Sequence, residues 1–391
     1  MFFEISILQP FCSVNLNRDD TNSIKTIDFG GYKRQRVSSQ CWKNAVRKNE
    51  YFFTEINKDQ GIRTKKIASE IFQQAGIQNI DEKISKNMGE FLKSIGMGEL
   101  EAQKKSKKKG NDLSSDEEMS VEKLKTLFFT SKNEIKIAAE ILKKHQFDPK
   151  ISADEFNKER KKLPLSADIS LFGRMAASDP KLNVDAAVQF AHAISTNEIY
   201  IEDDFFTALD DLANKEENSD AGASMMGSTQ LASPCFYRYA CISWEILMQN
   251  LNQNKELAIQ TMEAFFKSFI YSVPSGKNNS TAPATVPEFI LLSSSKKQPL
   301  SLVNAFIKPI HMGKNSKKSL IEESAESLVN YLQRHNEMYH WKKEREALCI
   351  HQLNKELEIS DKLKSIGIAT TNSDLNHSIN LFLKDTAWSH K

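Results

Sequence analysis

The sequence has little with which to build a covalent scaffold. Its 391 residues include five cysteines, Cys12, Cys41, Cys235, Cys241 and Cys349, irregularly spaced and with no C-x-x-C pair. An odd set of this kind argues against a disulfide framework and a structural zinc site, and fits a reducing cytoplasm. No run of about 18 apolar residues occurs, so no membrane-spanning helix is expected. Glu4 follows the start with no cationic stretch before it, which does not read as a signal peptide. Gly276-Lys277 and Gly313-Lys314 lack the rest of a G-x-x-x-x-G-K-[ST] motif, and no G-x-G-x-x-G occurs. Neither nucleotide hydrolysis nor a dinucleotide site is expected, and no serine elbow or Cys/His nucleophile pattern is found. Net charge is scarce as well. The 53 basic and 51 acidic residues leave +2, so a polyanionic partner has to be read from where the charges sit.

What is present is ordinary globular composition, 40% hydrophobic and 27% charged. A sizeable core can form, in two domains or in one with large insertions. Residues 2–8 read as a first strand, and 17–31 as a loop ending at Gly30-Gly31. Tyr32–Val37 reads as a second strand, and Ser38-Ser39 can cap a helix to about Lys48. Helical patterning dominates from about 56 to 165, around Ile67, Ile71 and Phe72 and again over Ile135–Leu142. Inside it lies a low-complexity patch, Lys104–Lys109 followed by Asp116, Glu117 and Glu118. Period-two apolar residues return at Val184, Ala186, Val188 and Phe190, and Ile194 extends them. Residues 196–235 form an excursion, Phe236–Ile242 is strand-like, two helices follow near 244–254 and 255–271, and Phe289–Leu292 is a strand. About 319–358 reads as mostly helical. This order suggests an α+β sheet domain with insertions.

One segment carries most of the functional signal. Tyr32–Lys48 holds Lys33, Arg34, Arg36, Lys43, Arg47 and Lys48 and no acid. On a helix from Ser39, the residues Gln40, Lys43 and Arg47 share a face. Free N–H groups at its start suit a phosphate. The segment reads equally as a solvated helix face or as a clamp on a polynucleotide backbone. Asn17-Arg18-Asp19-Asp20 reads as an Asx-type turn orienting Arg18 before it reads as a metal or acid–base pair. Gly173-Arg174-Met175 could meet a base and its phosphate, or pack a core. Phe205 and Phe206, after Glu202, Asp203 and Asp204, and Met225-Met226 look exposed, as wedges or as a protein contact. Phe236, Tyr237, Arg238 and Tyr239 suit base stacking or a sheet core. His192 reads as a satisfied core histidine, and His335, His340 and His351 lie in a helical stretch without metal spacing. No cofactor or metal is expected.

In order and spacing these motifs resemble the CasC family, the backbone subunits of type I-E CRISPR Cascade complexes. Asn17-Arg18-Asp19-Asp20, Phe29-Gly30-Gly31 and Arg36-Val37-Ser38-Ser39-Gln40 match its opening. Gly173-Arg174-Met175-Ala176, the run Ala191–Thr196, Asp204–Leu212, Phe236–Ala240, Pro299-Leu300-Ser301 and Asn304-Ala305-Phe306 continue it to about residue 310. The resemblance is weak over 55–165 and after 315.

It implies an RRM-like (ferredoxin-like) palm with a helical fingers insertion and a β-hairpin thumb. The palm would take 1–55, 183–195 and 236–391 with C-terminal helices, the fingers 56–182 and the thumb 196–235. Copies would stack into a helical filament along CRISPR RNA, each thumb displacing a nucleotide, and present the guide to target DNA. Large, small, five-prime-end cap and guide-processing Cascade subunits would be partners. The implied RNA contacts are Arg18, Lys25, Ser38, Gln40, Lys43, Arg47, Arg174 and Met175, with Phe205, Phe206 and Met226 as the wedge. Lys143, Lys144, Lys158, Arg160, Lys161 and Lys162 would be DNA-binding candidates. The expected protein is non-catalytic and cytoplasmic. The alternatives are a metal-dependent ribonuclease using Asp19, Asp20 or Asp179, or a standalone RNA-binding module.

Overall fold

The structure, a computed structural model, describes residues 1–56, 60–101, 123–208, 225–313, 316–372 and 374–388. The patch Lys104–Lys109, the motif residues after Ala208 up to Ser224, and Lys314 lie outside the described residues. The strands are β1 (Phe2–Pro10), β2 (Thr26–Phe29), β3 (Tyr32–Val37), β4 (Gly61–Thr64), β5 (Phe128–Ser131), β6 (Val188–Phe190), β7 (Ala193–Ser195), β8 (Glu202–Ala208), β9 (Met225–Leu231), β10 (Cys235–Ser243), β11 (Phe289–Ser295), β12 (Arg345–His351) and β13 (Ala369–Thr371). The helices are α1 (Ser39–Arg47), α2 (Glu50–Glu55), α3 (Ile67–Ala75), α4 (Glu82–Ser94), α5 (Lys132–Lys144), α6 (Pro149–Arg160), α7 (Ala167–Phe172), α8 (Trp244–Asn250), α9 (Lys255–Tyr271), α10 (Asn278–Thr281), α11 (Leu320–Tyr339), α12 (Ile359–Ser365) and α13 (Leu375–Trp388). The fold is α+β, with one large mixed sheet.

The chain divides into two compact units. The first spans 1–52, 188–244 and 262–391 and holds the sheet, in the order β13-β12-β11-β1-β10-β7-β3-β2, with β6 also on β10. Among the described strands, only β12 and β13 pair in parallel. β1 and β10 are central, so their residues are buried on both faces, the polar Glu4, Ser6, Gln9 and Arg238 included. On one face Tyr237, Tyr239, Phe289, Leu291 and Cys349 pack with Ile321, Leu328 and Leu332 of α11. On the other, Arg238 lies against Trp42 of α1 and Phe269 of α9. β10 therefore carries interior side chains, and Phe236, Tyr237, Arg238 and Tyr239 are not a base-stacking surface.

Two further expectations change. The apolar run around 184–194 is two short strands, broken at Ala191 and His192, rather than one. The helix expected over about 319–358 ends at Tyr339, where His340 turns left-handed at φ 53°. Residues 345–351 are instead β12. Arg345, Ala347 and Cys349 face inward with period two, and the buried ion pair of Arg345 with Glu4 is what lets a charged residue take an inward position. His351 therefore sits on a strand.

β2 and β3 form a hairpin in which Phe29 faces Tyr32 across Gly30 and Gly31, at φ 64° and 84°. Two positive angles are what a type I′ turn requires. A Cβ on Gly30 would also overlap the Ile307 carbonyl, whereas one on Gly31 would meet nothing.

The second unit spans 53–187 and 245–261. It packs α3, α4, α5 and α6 around Phe72, Phe91, Leu142 and Phe156, with β4 and β5 as a small hairpin. Its polar centre is Glu134, which completes a capping box with Ser131 at the start of α5. Glu134 also receives Arg160 Nε at 3.0 Å and Arg174 Nη1 at 3.1 Å. Burial raises the proton affinity of this carboxyl, but the two guanidinium groups and the bonds from Ser131 N–H and Thr130 outweigh it and hold it below the usual range.

Candidate nucleic-acid interface

In the sheet unit, the corner from β3 into α1 collects the basic residues. Ser38 is the N-cap: its Oγ accepts from Cys41 N–H at 3.3 Å, and its own N–H donates to Asn17 Oδ1 at 2.9 Å. The cap is buried and committed to the helix, so Ser38 shapes the corner rather than offering a free hydroxyl. Gln40 is exposed, and Lys43 and Arg47 are half-buried on the outer side of α1, whose inner side buries Trp42 and Val46.

His192 is exposed, not a core histidine. Its Nδ1 accepts from Ser39 N–H at 2.9 Å and lies 3.4 Å from Arg36 Nη1. A backbone N–H can only donate, so the neutral ring carries its proton on Nε2. Ser39 N–H is thus already used, contrary to the expectation of a free group there. Partial burial, then the positive charges of Arg36, Lys25 and Lys43, push the His192 pKa down. Arg36 thus adjoins His192 and donates its backbone N–H to the Lys25 carbonyl, and Lys43 lies early in α1, so basic residues border the start of that helix. No sequence signal marked His192 as one of them, because its neighbours in sequence are apolar.

The adjoining loop is built by Asp19. Its Oδ1 accepts from Thr21 N–H, Thr21 Oγ1 and Ser23 N–H at 3.0, 2.8 and 2.9 Å. These bonds, led by the Thr21 hydroxyl, lower its pKa. Arg18 is exposed and donates to Asn22 Oδ1 at 2.7 Å. Lys25 leaves the loop half-buried, its backbone bonded to Asn17 and Arg36. A cleft of about 710 Å³ lies between this loop, the Asn44–Lys48 side of α1 and residues 272–276. Among the described residues, no group of three or more His, Cys, Asp or Glu is placed to hold a metal ion.

β8 and β9 pair as a hairpin with both faces open. Phe205 faces Ser228 and Thr207 faces Met226, which sets Phe205 and Met226 on one side; Phe206 and Met225 take the other. Phe205 is 64% exposed and Met226 67%. Phe206 lies over Gly227, where a Cβ would run into its ring. The hairpin base is tied to the loop: Gln230 Oε1 accepts from Ile24 N–H at 3.1 Å, and its carbonyl accepts from Asn15 Nδ2 at 2.9 Å.

In the helical unit, Met175 is 83% exposed between buried Arg174 and Ala176. Arg174 pairs with Val184 through both backbone groups and donates from Nε to the Leu182 carbonyl at 3.0 Å. Its guanidinium faces Glu134, so Arg174 is not a surface cation; it fixes the segment that displays Met175. Arg160 is likewise turned inward to Glu134, which removes it from the exposed DNA-binding candidates. Lys143, Lys158 and Lys161 are exposed, while Lys144 reaches Glu155 at 2.8 Å and Lys162 reaches Glu159 at 2.7 Å.

The sheet unit thus bears a basic corner and an exposed apolar hairpin on a mixed sheet. Comparison with known proteins is more specific. The family described as CT1975-like protein matches residues 3–374. The chain belongs to this CT1975-like family, and the Cas backbone-type resemblance of its motifs is borne out. No curated protein sequence matches it. A solved chain described as "CRISPR RNA-guided surveillance complex, pre-nicking" is 28% identical with a TM-score of 0.77, over 98% of this chain and 100% of that one. A chain described as "CRISPR RNA-guided surveillance complex" is 23% identical with a TM-score of 0.59, over 99% and 100%, and shares the fold. No helix among the described residues is long and apolar enough to cross a membrane.

Proposed function

We propose that this chain is a non-catalytic, RNA-binding backbone subunit of a type I-E Cascade complex. It multimerises along a CRISPR guide RNA in the cytoplasm, and with the other Cascade subunits it presents the guide to target DNA. The observation that carries the reading is the corner where His192 meets Arg36 and Ser39, with Lys25 bonded to Arg36 and Lys43 early in α1, beside an anchored hairpin with exposed Phe205 and Met226. The cationic corner supplies grip on phosphates without reading sequence, and the hairpin supplies an apolar wedge. Base pairing by the guide then supplies specificity, which accords with a net charge near zero. In this reading the sheet unit is the RRM-like palm, the β8–β9 hairpin the thumb and the helical unit the fingers, with Met175 and the exposed lysines facing nucleic acid.

The ribonuclease alternative rests on Asp20, since Asp19 and Asp179 each accept backbone N–H groups as turn caps. The test is co-expression with guide RNAs of increasing length, followed by sedimentation and incubation with complementary RNA and magnesium. The proposal expects copy number to rise with guide length and no cleavage. One copy per long guide, or periodic cleavage abolished by Asp20→Ala, would refute it.

A further inference from the structure

The buried and nearly buried arginines of the described residues fall into three kinds. Arg160 and Arg174 share Glu134, and Arg345 pairs with Glu4. Arg34 donates to the carbonyls of Ser195, Thr196, Phe306 and Ile307, with Glu198 near enough to favour its charge. Arg238 stands apart. It is 1% exposed on central β10. Its guanidinium donates to Gln9 Oε1 and the Phe269 carbonyl, both neutral. Its Cζ lies 3.7 Å from the Trp42 ring centroid and 4.6 Å from that of Phe269, and its Nε has no acceptor. Among the described residues, no carboxylate pairs with it. Burial alone pushes its pKa down, to about 9, which leaves the group charged at neutral pH.

A buried charge without a counter-ion is costly, and an apolar side chain of similar volume would serve packing as well or better. Position supplies a reason for keeping it. Trp42 is on the inner side of α1, and the outer side of that helix carries Gln40, Lys43 and Arg47. We propose that Arg238 is a buried positive pole behind α1 that strengthens this face's hold on RNA phosphates without touching them. The inference rests on the RNA-binding reading above. A phosphate on the outer side stands one helix diameter plus the Trp42 stacking distance, ~15 Å, from the guanidinium. A unit charge at that range in an effective dielectric of ~20 changes affinity on the order of tenfold. It touches no phosphate and releases no counter-ion, so it changes the salt slope less than a contacting lysine does. Surface lysines, in contrast, set that slope.

The test is filter binding of a single-stranded RNA from about 50 to 300 mM salt, where surface cations show their slope, for the native chain and for Arg238→Met, Arg238→Gln and Arg238→Lys. Circular dichroism selects the folded variants, and Arg238→Gln, which keeps a donor toward Gln9, stands in if the Met variant does not fold. The expected result is a loss approaching roughly tenfold at low salt for Met and Gln, with a slope close to the native one, and affinity largely kept by Lys. Native-like affinity for Met or Gln, or a loss in Lys equal to that in Met, would overturn the proposal, the second by tracing the effect to shape rather than charge. A native chain with no salt-dependent RNA binding would bring down the RNA-binding reading, and this inference with it.

Discussion

Substituting Glu134 by Gln separates the role of Arg174 from the one its motif suggested. Gln keeps the N3 acceptor of the capping box, so α5 retains its start. What it removes is the negative charge facing Arg160 and Arg174, both turned inward. Breaking a buried pair by deleting one partner costs about 3–5 kcal/mol, because the other charge stays buried without compensation. For a domain of 150–250 residues each kcal/mol moves Tm by about 2–4 °C, so the helical unit should melt roughly 6–20 °C lower. Thermal and urea denaturation followed by circular dichroism measure this. The carboxyl is held below its ordinary range, so its contribution is complete above the usual Glu pKa of about 4.3 and is lost as pH falls through the folded value. The gap between native and variant should therefore close in acid. Adding Arg174→Met should recover part of the loss by removing an orphaned charge. A Glu134→Gln variant within about 1 kcal/mol of native at neutral pH would refute the reasoning.

Other consequences follow from single side chains. Gly30→Ala should destabilise by more than the 1–2 kcal/mol of a left-handed alanine, since its Cβ meets the Ile307 carbonyl, whereas Gly31→Ala should cost about that much alone; equal melting shifts would contradict it. Phe205→Ser with Met226→Ser should leave stability within about 0.5 kcal/mol, since both side chains are exposed, yet prevent RNA-dependent assembly seen by sedimentation. Because the His192 pKa is depressed, its neutral form stabilises fully above about 6.5 and is lost as pH falls through the folded value. His192→Asn should thus flatten the Tm-against-pH curve below neutrality, and an unchanged curve would count against a depressed His192 pKa.

The legible parts of the fold were those governed by local pattern. Tyr32–Val37 and the helix after Ser38 formed as their polarity and cap residues implied. β12 was hidden because Arg345 breaks the apolar alternation, and its partners Glu4 and the Gln298 carbonyl, both far away in sequence, explain its burial. Arg174, Arg160 and Arg238 show the same limit. A basic residue in a sequence looks like a surface cation until its partner or its packing is seen. His192 shows the reverse, since an apolar neighbourhood in sequence concealed an exposed ring at a helix start. The adjacent aromatics after an acidic run made the exposure of Phe205 readable, as the glycine-flanked stretch did for Met226, whereas the tie from Gln230 to Ile24 needed the folded chain.

The central claim is that the α1 face grips RNA phosphates. The direct measurement is RNA affinity against salt for the native chain and for Lys43→Glu with Arg47→Glu. The account predicts a folded double variant with greatly reduced affinity and a salt slope shallower by about 1–2, since each of the two cations neutralises about one phosphate. Native-like affinity and slope in that variant would contradict it.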